Sequence, residues 1–200
     1  MTVGGERPQD METSADGRFL YGLYGSELRM FEAMAEESPQ RASLTLEAGC
    51  RDIIRHPQNP VLYLACANGV VVVDPANMTF TVIGTPGGGD IYDIYLFGQM
   101  MYGAVDTGVS VFNVFNPIDV NHAQTVEFGS GFRRLSVQPN WIVVGTSSSA
   151  SLVPRSLELG EMPQVPSRTF PSSVIALEST LTDFYVATQS GPYRLAVEAP

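Results

Sequence analysis

The strongest constraint on how this chain folds is a self-similarity that recurs about every forty residues. An apolar run, a short turn and a second apolar run appear as "RFLYGLYGSELRMF" from Arg18, "PVLYLACANGVVVV" from Pro60 and "QMMYGAVDTGVSVF" from Gln99. A fourth copy, "WIVVGTSSSASLV" from Trp141, turns at Ser147 to Ser149, and a fifth, "DFYVATQSGPYRL", starts at Asp183. The equivalent positions Tyr21, Tyr63, Tyr102, Val143 and Tyr185 lie 42, 39, 41 and 42 residues apart. Each copy also has a short segment before the hairpin ("RDIIRHPQN", "YDIYLFG", "RRLSVQP") and a strand after it ("ASLTLEAG", "FTVIGTP", "QTVEFGSG").

Four antiparallel strands per forty-residue unit make a propeller blade. Val61 to Cys66 and Val70 to Val73 are apolar throughout instead of alternating, as expected of sheets covered on both faces. The expected fold is therefore an all-β propeller forming a single domain, with repeats at about 9–50, 51–91, 92–131, 132–174 and 175–200 plus 1–8. The last copy lacks an obvious fourth strand, while the opening "MTVGGE" is similar to "FTVIGT" from Phe80. The N-terminal strand is expected to complete the fifth blade and close the ring, which would protect its edges. The alternative is a five-unit part of a six- to eight-bladed propeller.

Composition removes several functions. With a net charge of −10 and no basic cluster longer than Arg133-Arg134, the chain lacks the basic face that phosphate binding needs, so nucleic acid is not expected as a partner. No apolar stretch approaches the roughly 20 residues of a membrane span, and the N-terminus does not read as a signal peptide. Asn77-Met78-Thr79 is a glycosylation sequon, a triplet common by chance. Cys50 and Cys66 would face each other across a hairpin, where a disulfide is conceivable; two buried free thiols are the favoured expectation.

"SADGRFLYGLYGSELRMFE" resembles the Ser-x-Asp-Gly-Arg-x-Leu-Tyr element of YVTN-type propellers. "YDIYLFGQMMYGAVDTGVSVFNVFNP", from Tyr92, is similar to the LVIVD repeat, in which an Asp-Ile/Val strand leads to an apolar hairpin and an Asn-Pro turn. The resemblance weakens over 132–200. It implies a scaffold more than a chemistry, although lactonase-type hydrolases occur on related propellers.

In a propeller, the loops entering the first strand of each blade gather with the hairpin turns around one mouth of the channel. Here the entering pairs are Gln9-Asp10, Arg51-Asp52, Tyr92-Asp93, Arg133-Arg134 and Ile175-Ala176. Asp10, Asp52 and Asp93 therefore stand at equivalent points, with Arg134 on the fourth blade. Converging carboxylates could hold a divalent cation or share a proton, and Arg134 could pair with Asp93 or orient an anionic group. The competing reading, which the repeat favours, is that each Asp accepts backbone N–H groups of its own or the next blade. Arg51, Tyr92 and Arg133 are further ligand-binding candidates.

Other motifs carry less. Pro86 to Asp90 lacks the Lys-Ser/Thr and helix of a phosphate loop and reads as a linker. His56 and His122 have no second ligand at zinc spacing. Ser147 to Ser151 reads as a turn. Ala67-Asn68-Gly69 and Asp106-Thr107-Gly108 read as hairpin turns that tolerate positive φ, where Asn68 and Asp106 could touch a partner. No acid–base set converges, so the expected function is a monomeric, non-enzymatic module binding a protein, peptide or glycan at the channel mouth. The alternatives are a metal-assisted, lactonase-like hydrolase or lyase acting on a small sugar or lactone, and a fragment or minimal propeller whose only property is folding.

Overall fold

The computed structural model describes residues 6–35, 39–84, 89–155, 167–180 and 183–196, and every regular element among them is a β-strand. The first sheet comprises β1 (Asp10–Thr13), β2 (Phe19–Tyr24), β3 (Glu27–Glu32) and β4 (Gln40–Thr45). The second comprises β5 (Cys50–Arg55), β6 (Leu62–Cys66), β7 (Gly69–Asp74) and β8 (Thr79–Ile83). The third holds β9 (Ile91–Phe97), β10 (Met100–Val105), β11 (Gly108–Asn113) and β12 (Asn121–Glu127). The fourth holds β13 (Arg134–Val137), β14 (Trp141–Gly145), β15 (Ser149–Pro154) and β16 (Ser167–Thr169). The fifth has β17 (Val174–Ser179), β18 (Asp183–Thr188) and β19 (Gly191–Ala196). Strands follow chain order in every sheet, and all pairings are antiparallel.

The first strands of successive sheets touch: β1 meets β5, β5 meets β9, β9 meets β13, and β13 meets β17. The sheets thus stack face to face in chain order, adjoining through their first strands. β6 is buried along its whole length and β7 up to its last residue, Asp74, whereas the fourth strands β4 and β8 mix exposed and half-buried residues. The apolar runs of the middle strands follow from cover on both faces.

Each junction between consecutive sheets has its own hydrophobic cluster. Leu23 and Leu28 pack with Leu62 and Leu64 at the first junction, and Tyr63 with Ile91 and Met101 at the second. Tyr102 meets Leu135 and Ile142 at the third, and Val143 meets Leu177 and Phe184 at the fourth. The repeat position is the marker of this packing: Tyr21, Tyr63, Tyr102 and Val143 are at most 5% exposed, each against the next sheet. Tyr185 occupies the same position in the fifth sheet and is 40% exposed. Among the described residues, no comparable cluster joins the fifth sheet to the first. The strand expected to do so, "MTVGGE", falls largely outside the described residues; Glu6 forms an ion pair with Arg29 of the first sheet.

Two expectations need correction. Cys50 and Cys66 are joined as a disulfide, not held as free thiols. The extra residue Arg51 puts Cys50 in direct register with Cys66, at a Cα–Cα distance of 3.9 Å. A loop of this size constrains the unfolded chain by about 3 kcal/mol in the chain-entropy picture. The hairpin glycines also differ in their reasons. Gly69 has a φ of +124°, as positive-φ turn chemistry requires. Gly108 has no positive φ; a Cβ there would lie 1.9 Å from the Val126 carbonyl oxygen.

Candidate functional site

The first strands begin with a bulge. Register shifts in β5, β9 and β17 leave Arg51, Tyr92 and Ile175 as extra residues. Arg133 stands in the same position: its N–H bonds to the Gly145 carbonyl, with which Arg134 is also in register. Gln9 does the same before Asp10 at Leu23. A bulge bends its strand and re-aims the side chain, here at the end of the molecule that carries the β2–β3, β6–β7 and β10–β11 turns.

The residues following the bulges join the sheets. Asp10 Oδ2 accepts the Ile53 N–H at 3.0 Å. Asp52 Oδ2 accepts the Ile94 N–H at 2.8 Å, and Asp93 Oδ2 accepts the Leu135 N–H at 2.8 Å. Each carboxylate thus caps the first strand of the next sheet. Arg134, at the fourth position, reverses the polarity and donates from Nε to the Ile175 carbonyl at 3.2 Å. The fourth junction adds Ser136 to Ser179 at 2.9 Å, with Gln138 Nε2 donating to the Thr180 and Asp183 carbonyls.

The three carboxyl groups also interact with one another. Asp52 lies within hydrogen-bonding reach of both Asp10 and Asp93. Burial, reinforced by the Asp93 charge, pushes the Asp52 carboxyl well above the usual carboxylate range. Burial raises Asp93 as well, opposed by its hydrogen bonds to Asp52 and Leu135 and by the Arg134 charge. Of the coupled Asp52–Asp93 pair, Asp52 is the more strongly raised. Among the described residues, no group of three His, Cys, Asp or Glu is arranged to hold a metal ion.

Above the carboxyl groups lies a second arrangement. The Arg51 guanidinium stands 4.7 Å from the Tyr92 ring centroid, and that of Arg133 stands 3.8 Å from it. The two arginines come from the sheets on either side of Tyr92. Arg51 is ion-paired to Asp90 at 2.8 Å, and Arg133 to Asp106 at 2.7 Å. Arg134 also bonds from Nη1 to the Arg133 carbonyl and is exposed. The result is a half-buried aromatic ring framed by two guanidinium groups on a protein of net charge −10.

Sequence reasoning found these residues as companions of the Asp positions. Their action as a set was signalled by the 41-residue steps between Arg51, Tyr92 and Arg133. Asn68, singled out as a turn residue, has a buried Oδ1 without a hydrogen-bond partner. The histidines are structural: His56 Nδ1 accepts from the Gln58 and Asn59 N–H groups, and His122 packs edge-on against Phe112. Burial lowers the pKa of both. The Ser147–Ser149 turn is held by Thr146, whose hydroxyl accepts from the Ser148 and Ser149 N–H groups. Of the glycine-rich linker, Pro86 to Gly88 lie outside the described residues. A cavity lined by Arg55 on the opposite end went unnoticed in the sequence, because its walls come from turns of two different repeats.

No family model matches the chain, and no curated protein sequence does. Among solved structures it is similar to Kluyveromyces lactis Hsv2, a β-propeller, with a TM-score of 0.57 and 11% identity. The alignment covers 95% of this chain and 60% of that one. At this identity the likeness concerns the fold alone. Five stacked antiparallel sheets and this neighbour define a propeller-type, all-β protein.

Proposed function

We propose that the protein is a non-enzymatic binding module whose mouth face takes an acidic peptide segment of a partner protein. The observation that carries this reading is the stacking of Arg51 and Arg133 on Tyr92, with Arg134 beside them. A guanidinium on an aromatic face is oriented in advance, so its outward N–H groups meet a carboxylate at reduced entropic cost. Protein, peptide and glycan ligands all suit a propeller mouth; the arginine frame favours carboxylate-bearing peptides among them. Asp10, Asp52 and Asp93 serve here as the scaffold beneath. A lactonase-like hydrolase or lyase would need those carboxylates for a cation or for proton transfer, and each commits Oδ2 to a backbone N–H.

The repeats belong, in this reading, to the YVTN/LVIVD type of propeller. Ring closure through the N-terminal strand, giving five four-stranded blades, is part of the same proposal. The competing arrangement, in which further blades complete the ring, would instead cover the exposed Tyr185 and Met11.

The test is fluorescence anisotropy with a fluorescein-labelled Glu-rich decapeptide, using the intact protein and the Arg51→Gln/Arg133→Gln double variant. The proposal expects saturable binding, at least ten-fold weaker in the variant, and no binding of a Lys-rich control. Equal affinity for wild type and variant would exclude it.

A further inference from the structure

A cavity of about 540 Å³ lies away from the mouth, between the first and second sheets at the end carrying the β1–β2, β5–β6 and β7–β8 turns. Its walls are largely apolar, with Phe19, Tyr21 and Met30 from the first sheet and Pro60, Leu62 and Pro75 from the second, and Ser14, Gln58 and Asn59 add polar groups. One cation, Arg55 at the end of β5, lines it. The Arg55 Nε is buried and has no hydrogen-bond partner. A buried N–H left unpaired costs about 1–3 kcal/mol, and more on a charged group.

The neighbouring acids do not supply the missing acceptor. Asp16, at the rim, is engaged by the Ser14 hydroxyl at 2.6 Å and the Arg18 N–H at 3.0 Å, and these bonds lower its pKa. Glu12 accepts the backbone N–H groups of Thr13 and Arg55, and no ion pair joins it to the Arg55 guanidinium. The cavity is thus a hydrophobic recess with one uncompensated guanidinium. Its volume falls within the range of small-molecule sites, which combine apolar walls with a few polar groups.

From this we infer that the recess between the first two sheets binds a small apolar monoanion, an aromatic or aliphatic body carrying one carboxylate, with Arg55 as its counter-ion. The body would cover Phe19, Met30 and Leu62, while its carboxylate would pair with the Arg55 guanidinium, which makes no ion pair among the described residues. This site is separate from the mouth and does not depend on what binds there.

The test uses the intact protein with two fluorescent probes, the anionic anilinonaphthalene sulfonate and the uncharged N-phenylnaphthylamine, each titrated to saturation and then displaced by decanoate or decanol. We expect one saturable site, with decanoate displacing the anionic probe more effectively than decanol. Arg55→Gln should weaken the anionic probe by about ten-fold or more, the effect of one charged hydrogen bond, while leaving the neutral probe within about two-fold. Ala76→Trp, on an exposed turn at the cavity wall, should abolish both signals without a large change in Tm. Absence of saturable binding would overturn the inference, as would unchanged anionic affinity in Arg55→Gln. Binding that survives Ala76→Trp would assign the signal to another surface and overturn it equally.

Discussion

Asp52 reaches out of its own sheet to accept the backbone N–H of Ile94, 42 residues further along the chain, at 2.8 Å. The same bond joins Asp10 to Ile53 and Asp93 to Leu135. A carboxylate repeated once per unit thus links each of the first three sheets to its successor, and at the fourth Arg134 takes over with the opposite polarity.

Removing one acceptor should therefore loosen one junction. Asp93→Ala is expected to cost about 1.5–3 kcal/mol, the value of a hydrogen bond to a charged group. Asp93→Asn, which keeps an oxygen at the same place, should cost distinctly less. Urea denaturation of the two variants checks the difference.

The raised pKa of the Asp52 carboxyl gives a pH signature. Its folded pKa lies above the unfolded value, so the native state binds the proton more tightly. The stabilisation is complete below the unfolded pKa and is lost as pH rises through the raised folded value. Asp52→Asn should still accept from Ile94 and carries no charge to bury. It should raise Tm at pH 7, with the gain vanishing below about pH 4. An unchanged Tm at pH 7 would contradict this origin of the shift.

Calcium and magnesium separate the scaffold reading from a metal-assisted one. With each Asp committed to a backbone N–H, millimolar cation should leave Tm unchanged. A cation-dependent rise that Asp52→Asn abolishes would restore the ion site through linkage.

The repeat was legible because β-branched and aromatic residues recur with turn residues at fixed intervals, and every hairpin from Phe19 to Ala196 follows that reading. The role of Asp10, Asp52 and Asp93 was legible only as a choice between ligand site and scaffold, since sequence spacing alone does not say which N–H a carboxylate meets. The bulges at Arg51 and Tyr92 were not visible: a one-residue register shift leaves no compositional mark. The disulfide was misjudged for the same reason. The Arg55 recess joins turns from different repeats, a contact that periodicity does not report.

Position equivalence makes a further prediction. Tyr21→Ser removes a ring packed against the second sheet and should cost about 3 kcal/mol. Tyr185→Ser, at the same repeat position with 40% of its surface exposed, should cost less than half as much. Equal costs in chemical denaturation would mean that another sheet covers the fifth one in solution.

Gly108→Ala should cost more than Gly98→Ala. A Cβ at Gly108 would strike the Val126 carbonyl oxygen, whereas at Gly98, with a φ of +63°, it meets nothing within 4 Å. The first forces β11 and β12 apart, and the second costs only about 1 kcal/mol of backbone strain.

The whole arrangement rests on carboxylates that cap the first strand of the neighbouring sheet, and amide hydrogen exchange reads those caps one by one. Exchange measured at Ile53, Ile94 and Leu135 in Asp10→Ala, Asp52→Ala and Asp93→Ala should accelerate chiefly at the amide facing the missing carboxylate. If protection at all three amides were indifferent to the substitutions, the carboxylates would not be joining the sheets.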